Sequence, residues 1–104
     1  MPENDTTNIT NFWVVGINYK KTDAAVRGKF AINNEQYEAI LNAAHNIGVP
    51  ELFILSTCNR TEAYGFAPDA ETLMELICSQ ADGDLDTFSK IAYVKNGAEA
   101  MVHL

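Results

Sequence analysis

The link between two predicted strands limits the fold of this chain more than any other feature of its sequence. Residues 52–55 form a continuous apolar run typical of a buried strand, and residues 62–67 alternate large and small side chains like a second strand. Only residues 56–61 separate them. A connection this short joins antiparallel neighbours and cannot form a crossover between parallel strands. The sequence therefore predicts a β-hairpin with Cys58, Asn59 and Arg60 at or near its tip.

A strand and two helices are predicted before this hairpin. Residues 12–19 are rich in aromatic and β-branched side chains, which favours a strand covered on both faces, and a short helix is predicted over residues 23–30. Asn33 followed by Gln36 resembles a capping box, so a longer helix should follow and end near Gly48. The predicted apolar stripe of that helix is Tyr37, Ile40, Leu41 and Ala44.

Two further helices, a strand and a final helix are predicted after the hairpin. Asp69 is placed to cap the first of these helices, and the strand is predicted over residues 92–95. Asn96 followed by Glu99 indicates the start of the last helix, over residues 98–104. The apolar residues assigned to the two middle helices are Leu73, Leu76 and Ile77, then Leu85, Phe88 and Ile91.

This order of elements predicts an α+β fold of the ferredoxin-like, split βαβ type. Its four-stranded antiparallel sheet would have the helices packed on one face. We expect residues 1–10 to be a disordered leader and residues 11–104 to form one folded domain. The first and second strands would run parallel and end at the same sheet edge, so residues 18–21 should lie beside Cys58. The fourth strand should end at the opposite edge.

Charge and composition exclude several classes of protein. Asp and Glu outnumber Lys and Arg by 14 to 7, for a net charge of −7, which argues against a general nucleic-acid binder. Basic residues nevertheless dominate residues 13–30. No apolar run is long enough to cross a bilayer and the polar start is unlike a signal peptide, so we expect a cytoplasmic protein without membrane contact.

The sequence contains no motif for a metal or a phosphate. Its two cysteines are twenty residues apart, outside any metal-binding spacing. Gly16 and Gly28 belong to no glycine-rich phosphate loop, and 104 residues leave no room for a separate nucleotide-binding domain. We therefore expect neither a metal site nor a cofactor site in this chain.

Cys58 is the side chain with the clearest chemical potential. It stands among hydroxyl, amide and guanidinium groups, and a nearby cation such as Arg60 favours the nucleophilic thiolate. A half-buried turn cysteine is the structural alternative. Cys78 is predicted to be a small hydrophobic residue beside the core, and His45 to be solvated. His103, taken alone, is more often a packing or surface residue than an acid or base.

The sequence resembles the N-terminal catalytic domain of glutamyl-tRNA reductase. The specific part is the run Ser-Thr-Cys-Asn-Arg-Thr-Glu at residues 56–62, and weaker matches occur in the right order at residues 16–20, at Arg27 and at residues 101–104. The family usually has His followed by Lys-Thr-Ala-Pro where this chain has residues 19–23, Tyr-Lys-Lys-Thr-Asp.

The resemblance implies that residues 11–104 are a catalytic domain that recognises glutamate, and it implies a reaction and a set of site residues. The family reduces glutamyl-tRNA to glutamate-1-semialdehyde with NADPH, the first step of tetrapyrrole biosynthesis. Cys58 would be the nucleophile that holds glutamate as a thioester, and His103 would give acid–base assistance. Thr57, Asn59 and Arg60 would contact the substrate, with Arg60 binding a glutamate carboxylate.

The resemblance also implies partners that lie beyond these residues. NADPH would be bound by a domain absent from this chain, and a missing C-terminal domain would make the longer enzyme a homodimer. The substrate glutamyl-tRNA and glutamate-1-semialdehyde aminomutase are the expected partners. Two alternatives stay open: a ferredoxin-like module that binds an amino acid through Arg60 without catalysis, and a simple packing module. An unreactive Cys58 would favour these alternatives.

Overall fold

A computed structural model describes residues 9–18 and 24–103 of the chain. Of the predicted leader, residues 1–8 lie outside the described part, and residues 9 and 10 belong to a short 3₁₀ turn. The elements in chain order are the 3₁₀ turn Ile9–Asn11, β1 Phe12–Asn18, α1 Ala24–Phe30, α2 Asn34–Asn46, β2 Leu52–Ser56, β3 Arg60–Phe66, α3 Ala70–Cys78, α4 Leu85–Ile91, β4 Tyr93–Asn96 and α5 Ala98–His103.

The four strands form one antiparallel sheet in the order β2-β3-β1-β4. The hairpin of β2 and β3 forms as predicted, and Ser56 pairs with Thr61 at its end. Because β3 lies between β1 and β2 and is antiparallel to both, those two strands run parallel to each other. The predicted α+β fold with a four-stranded antiparallel sheet is confirmed.

Helices α1 to α4 cover one face of the sheet. Their apolar side chains pack against Val15, Ile17, Ile54 and Ala63 of the strands, which are at most 4% exposed. The stripe predicted for α2 is partly wrong. Ile40 and Ala44 are buried, but Leu41 is 37% exposed because it lies on the flank of the helix rather than on the face toward the sheet. The buried helix residues are Phe30, Ile40, Ala44, Leu73, Met74, Leu76, Ile77 and Phe88.

Helix starts follow the predicted side-chain caps in two places. The Asn33 side chain accepts from the backbone N–H of Gln36, and the Gln36 side chain accepts in return from the Asn33 N–H, both at 2.8 Å. Asp69 caps α3 through the Thr72 N–H at 2.9 Å. Asp84 caps α4 in the same way, through the Thr87 N–H at 2.9 Å. These contacts use helix N–H groups that lack partners within the helix.

Asn96 does not cap the last helix. Its side-chain amide donates to the carbonyl oxygens of Thr10 and Phe12, at 2.8 and 3.0 Å, and so ties the end of β4 to the start of β1. Gly97, with a φ of 63°, then turns the chain into α5. This positive φ is favourable for glycine and places α5 on the second face of the sheet.

The second face carries a smaller apolar cluster and the end of α5. Ala100 of α5 is fully buried against Phe12, Val14 and Tyr64. The prediction that the helices pack on one face of the sheet is therefore wrong for α5, which packs opposite the other four because Gly97 turns the chain onto the second face. No helix among the described residues is long and apolar enough to cross a membrane.

Candidate active site

The Cys58 turn is held by Thr57. The backbone N–H of Thr57 donates to the Arg60 carbonyl at 2.8 Å, while its hydroxyl oxygen accepts from the N–H groups of Asn59 and Arg60 at 3.1 and 3.3 Å. Residues 57–60 are all exposed. The turn therefore presents the Cys58 side chain to solvent, at the end of the hairpin where the sequence placed it.

The base of this turn is fixed to the main core. The Ser56 and Thr61 hydroxyls lie 3.0 Å apart, and the Ser56 oxygen accepts from the backbone N–H of Ile32 at 3.0 Å. Thr61 is fully buried. These contacts tie the hairpin end to the segment between α1 and α2 and so anchor the base of the turn.

Glu62 is the centre of a hydrogen-bonded cluster on the second face of the sheet. Its side chain is fully buried, which an ionised carboxylate tolerates only with strong partners. Oε1 accepts from the Tyr64 hydroxyl at 2.8 Å and pairs with Nε of Arg60 at 3.1 Å. Oε2 accepts from the Tyr93 hydroxyl and lies 2.6 Å from Nε2 of His103. Four side chains from three elements thus meet on one carboxylate.

The electrostatics of the cluster favour an ionised Glu62. Burial raises the pKa of this carboxyl, but hydrogen bonds from Tyr93, His103 and Tyr64 outweigh burial and hold the pKa below its ordinary value. Burial and the bond to Glu62 raise the pKa of Tyr64 to about 12, and the same causes raise the pKa of Tyr93. Both tyrosines therefore stay protonated at neutral pH and act as donors to the carboxylate.

Gly16 makes room for this cluster. It pairs with Glu62 in β3 and with Tyr93 in β4, and a Cβ built on it would stand 2.8 Å from both Cγ of Glu62 and the Tyr93 hydroxyl oxygen. A glycine inside a strand often marks such a close approach. Its absent side chain is what lets the two polar groups meet above β1.

We expect Gly16→Ala to lower the free energy of unfolding by about 1–3 kcal/mol, because the added methyl group overpacks a buried site. Urea denaturation of the two proteins measures the difference. Gly28→Ala is the matched control, since nothing lies within 4 Å of a Cβ at that helical position. Equal stability of Gly16→Ala and the parent chain would contradict the tight contact described above.

A cavity of about 300 Å³ opens over the cluster. Asn18, Arg60, Glu62, Tyr93, Lys95 and His103 line it. Arg60 and Lys95 are cations and Glu62 is an ionised carboxylate, so these lining groups keep an excess of one positive charge, which favours an anionic ligand although the whole chain carries a charge of −7. Arg60 belongs both to this cavity and to the turn that carries Cys58.

The structure brings Arg60 and His103 together on Glu62, a contact that the order of the strands alone did not predict. As predicted, β4 ends at the edge opposite Cys58, with Asn96 paired to Trp13. Helix α5 then runs back over the second face and delivers His103 to Glu62, which also holds Arg60. The predicted placement of Lys20 and Lys21 beside Cys58 lies outside the described residues.

Glu62, Tyr64 and Tyr93 are the members of the site that sequence reasoning missed. Glu62 was noted only as the end of the matching run, without a role. Two signals pointed to it: an acidic residue within an otherwise apolar strand, and Gly16 within the first strand. Their connection depends on the pairing register, which the sequence does not give.

The other cysteine and the other histidine lie away from the cluster. Cys78 packs partly buried against the main core, where burial and the charge of Asp84 raise its pKa to about 11. His45 is exposed near the end of α2. Both placements agree with the sequence-based interpretation. Within the described ranges, no three His, Cys, Asp or Glu side chains are grouped to hold a metal ion.

Comparisons with known proteins agree with these features. Residues 15–104 match the family model described as "Glutamyl-tRNAGlu reductase, N-terminal domain". A glutamyl-tRNA reductase of Flavobacterium psychrophilum is 41% identical over 104 residues, which are all of this chain and 25% of that protein. One from Christiangramia forsetii is 38% identical over 94 residues, or 90% of this chain and 22% of that protein.

A solved structure supports the same assignment at the level of the fold. The glutamyl-tRNA reductase from Methanopyrus kandleri superimposes with a TM-score of 0.63 at 28% identity, over 90% of this chain and 21% of that one. The chain thus spans about a quarter of the length of the relatives it matches. On the extent of the family match and the shared fold, the chain belongs to the glutamyl-tRNA reductase N-terminal domain family.

Proposed function

We propose that this chain supplies the nucleophile and the glutamate-recognition surface for the reduction of glutamyl-tRNA to glutamate-1-semialdehyde, the entry to tetrapyrrole biosynthesis. One observation carries the proposal: an exposed Cys58 stands in a hydrogen-bonded turn that leads directly into Arg60, and Arg60 lines a cavity together with Lys95 and His103. Membership of the family supports the aminoacyl ester of glutamate as the proposed substrate.

The first half of the reaction is an acyl transfer. The Cys58 thiol loses its proton, and the thiolate sulfur attacks the carbonyl carbon of the glutamyl ester. A C–S bond forms, the bond from that carbon to the ribose oxygen breaks, and the oxygen leaves as a hydroxyl after it takes up a proton. The product is a glutamyl thioester on Cys58 and free tRNA, with no change of oxidation state.

Arg60 is proposed to recognise the side-chain carboxylate of glutamate. Its contact with Glu62 uses Nε, so the two terminal NH₂ groups of the guanidinium supply a fork that matches a second carboxylate. The Arg60 side chain is 51% exposed, which leaves it accessible to a ligand in the cavity. Asn59 and Thr57 would border the same ligand, although the Thr57 hydroxyl also supports the turn.

His103 is proposed to assist the proton transfers of the ester step. Its imidazole lines the cavity and is fixed at Glu62, on the same carboxylate that holds Arg60. An imidazole within a substrate cavity is the usual group for moving a proton near neutral pH.

The described residues do not fit a dinucleotide. Gly16 and Gly28 form no glycine-rich phosphate loop, and Glu62 and Tyr93 already fill the space above Gly16. NADPH, the reductant that family resemblance implies, would supply a hydride to the thioester from a site outside this chain. We therefore assign only the acyl transfer to these residues.

A glutamyl ester of a simple alcohol tests the recognition. We expect the chain to release the alcohol without any reductant, and Arg60→Gln to slow this release by about 10- to 100-fold through loss of a charge-assisted hydrogen bond. The norvalyl ester, which lacks the side-chain carboxylate, should be cleaved slowly by the parent chain and no more slowly by Arg60→Gln. Release of the alcohol measured by chromatography gives both rates.

Lys90→Gln is the matched control for loss of a positive charge. Lys90 pairs with Asp86 on the exposed side of α4, outside the cavity, so this variant should keep the parent rate. If Arg60→Gln slowed both esters equally, Arg60 would act on the turn rather than on the substrate carboxylate. If the parent chain released no alcohol from the glutamyl ester, the proposed function itself would be wrong.

A further inference from the structure

The Glu62 carboxylate joins the two basic groups that the proposed function uses. Arg60 lies on one of its oxygens at 3.1 Å and His103 on the other at 2.6 Å. The Glu62 side chain is fully buried, whereas those of Arg60 and His103 are 51% and 29% exposed. Glu62 is thus the fixed member of the cluster, and the two basic residues extend from it toward the cavity.

We propose that Glu62 is a positioning residue that keeps the imidazole proton of His103 on Nε2, leaves Nδ1 as the nitrogen that exchanges protons, and fixes Arg60 by its Nε. The catalytic use of this arrangement rests on the proposed function. The tautomer and the orientation of the two side chains depend only on the cluster itself.

The hydrogen bonds at Glu62 fix the direction of the bond to His103. The tyrosine hydroxyls of Tyr64 and Tyr93 donate to Oε1 and Oε2, and an ionised carboxylate has no proton to give. The bond at 2.6 Å therefore requires a proton on Nε2 of His103. A neutral imidazole carries only one proton, so Nδ1 is then the free acceptor.

A glutamine at position 62 has the shape of glutamate, but it can accept hydrogen bonds at only one of its two terminal atoms. All four partners of Glu62 donate, two at each oxygen. An amide accepts only at its oxygen, so its NH₂ group would face two donors in either orientation. Glu62→Gln therefore breaks the contact with the His103 side or with the Arg60 side, while the volume of the buried side chain is unchanged.

The tautomer of His103 can be read directly in the ¹⁵N-labelled 104-residue chain. Long-range ¹⁵N–¹H correlation at a pH where the imidazole is neutral separates a protonated from an unprotonated ring nitrogen. The sequence holds two histidines, and His45 is the internal reference because it is exposed on α2. We expect Nε2 of His103 at the protonated extreme and Nδ1 at the unprotonated extreme, and averaged values for His45.

Two variants test whether Glu62 positions His103 and Arg60 or only stabilises the fold. In Glu62→Gln the amide NH₂ faces one pair of donors, so we expect either the His103 signals to move toward the average of His45 or the Arg60 Nε–H signal to lose its hydrogen-bonded shift. In Tyr93→Phe, which removes one donor but keeps the carboxylate, the extremes should remain. A dispersed amide spectrum shows whether each variant is folded, and the measurement on the parent chain decides the question even if Glu62→Gln does not fold.

The outcomes are distinguishable from those of the proposed function. A proton on Nδ1 of His103 in the parent chain, or averaged values like those of His45, would overturn the positioning role. So would folded Glu62→Gln in which the His103 extremes and the Arg60 Nε–H signal are both unchanged. Absence of ester cleavage would refute the proposed function, and the His103 tautomer would still report on the cluster.

Discussion

Cys58→Ser is expected to abolish acyl transfer from a glutamyl ester, with the rate falling by more than about 10³-fold, because a nucleophile and its supporting groups act as a unit. A serine hydroxyl has a similar size but does not ionise at neutral pH, and the described turn supplies no base that contacts residue 58. The rate of alcohol release, followed without reductant, measures the effect. The turn should keep its form, since its hydrogen bonds use Thr57 and backbone groups.

Cys78→Ser is the control for this prediction. Cys78 is partly buried against the core, and its raised pKa of about 11 keeps it in the unreactive thiol form. We expect this variant to retain the parent rate. If alcohol release survived in Cys58→Ser and were lost in Cys78→Ser, Cys78 would be the nucleophile and our assignment to Cys58 would be wrong.

Phe30→Ala is expected to lower the free energy of unfolding by about 3–5 kcal/mol, because it removes a fully buried aromatic side chain and leaves a cavity. The Phe30 ring packs edge-on against Phe88 at 5.3 Å between ring centres, and it lies so close to Gly83 that no side chain fits there. This contact joins α1, α4 and the loop that precedes α4. Guanidinium denaturation followed by circular dichroism measures the loss.

Phe53→Ala is the matched control, since it removes the same atoms from a half-exposed position. The Phe53 side chain is 50% exposed on β2 and has one aromatic neighbour, Tyr64, at 6.0 Å. We expect a loss of about 1 kcal/mol for this variant. A loss as large as that of Phe30→Ala would mean that the main core does not lie where the structure places it.

Local sequence signals were sufficient for most of the fold. The hairpin followed from the short connection at residues 56–61, and the starts of α2 and α3 followed from the caps at Asn33 and Asp69. These features depend on residues that are close together along the chain, so they are visible in the sequence. Leu41 was misplaced because periodicity gives the apolar side of a helix but not how much of it the sheet covers.

Only the part of the candidate site that is continuous along the chain could be predicted from the sequence. Cys58, Arg60 and the rest of the matching run are neighbours along the chain, so their proximity needed no tertiary information. His103 joins them only because Gly97 turns the chain and α5 packs on the second face. That packing depends on the fit of Ala100 against β1 and β3, which no local pattern contains.

The Glu62 cluster depends even more strongly on tertiary information that the sequence does not contain. Glu62 and Tyr93 meet because Gly16 pairs with both of them, one on each side of β1. A shift of one residue in either pairing would send one of these side chains to the other face of the sheet. The register thus creates the cluster, and the register was beyond the reach of the sequence analysis.

The most direct test of the central claim is to locate the acyl group on the protein. The 104-residue chain is incubated with a glutamyl ester in the absence of reductant, quenched in acid and digested, and its two cysteine peptides are analysed by mass spectrometry. Our account predicts a glutamyl thioester on the Cys58 peptide and an unmodified Cys78 peptide. An unmodified Cys58 peptide, or acylation confined to Cys78, would contradict the account and favour a binding module without catalysis.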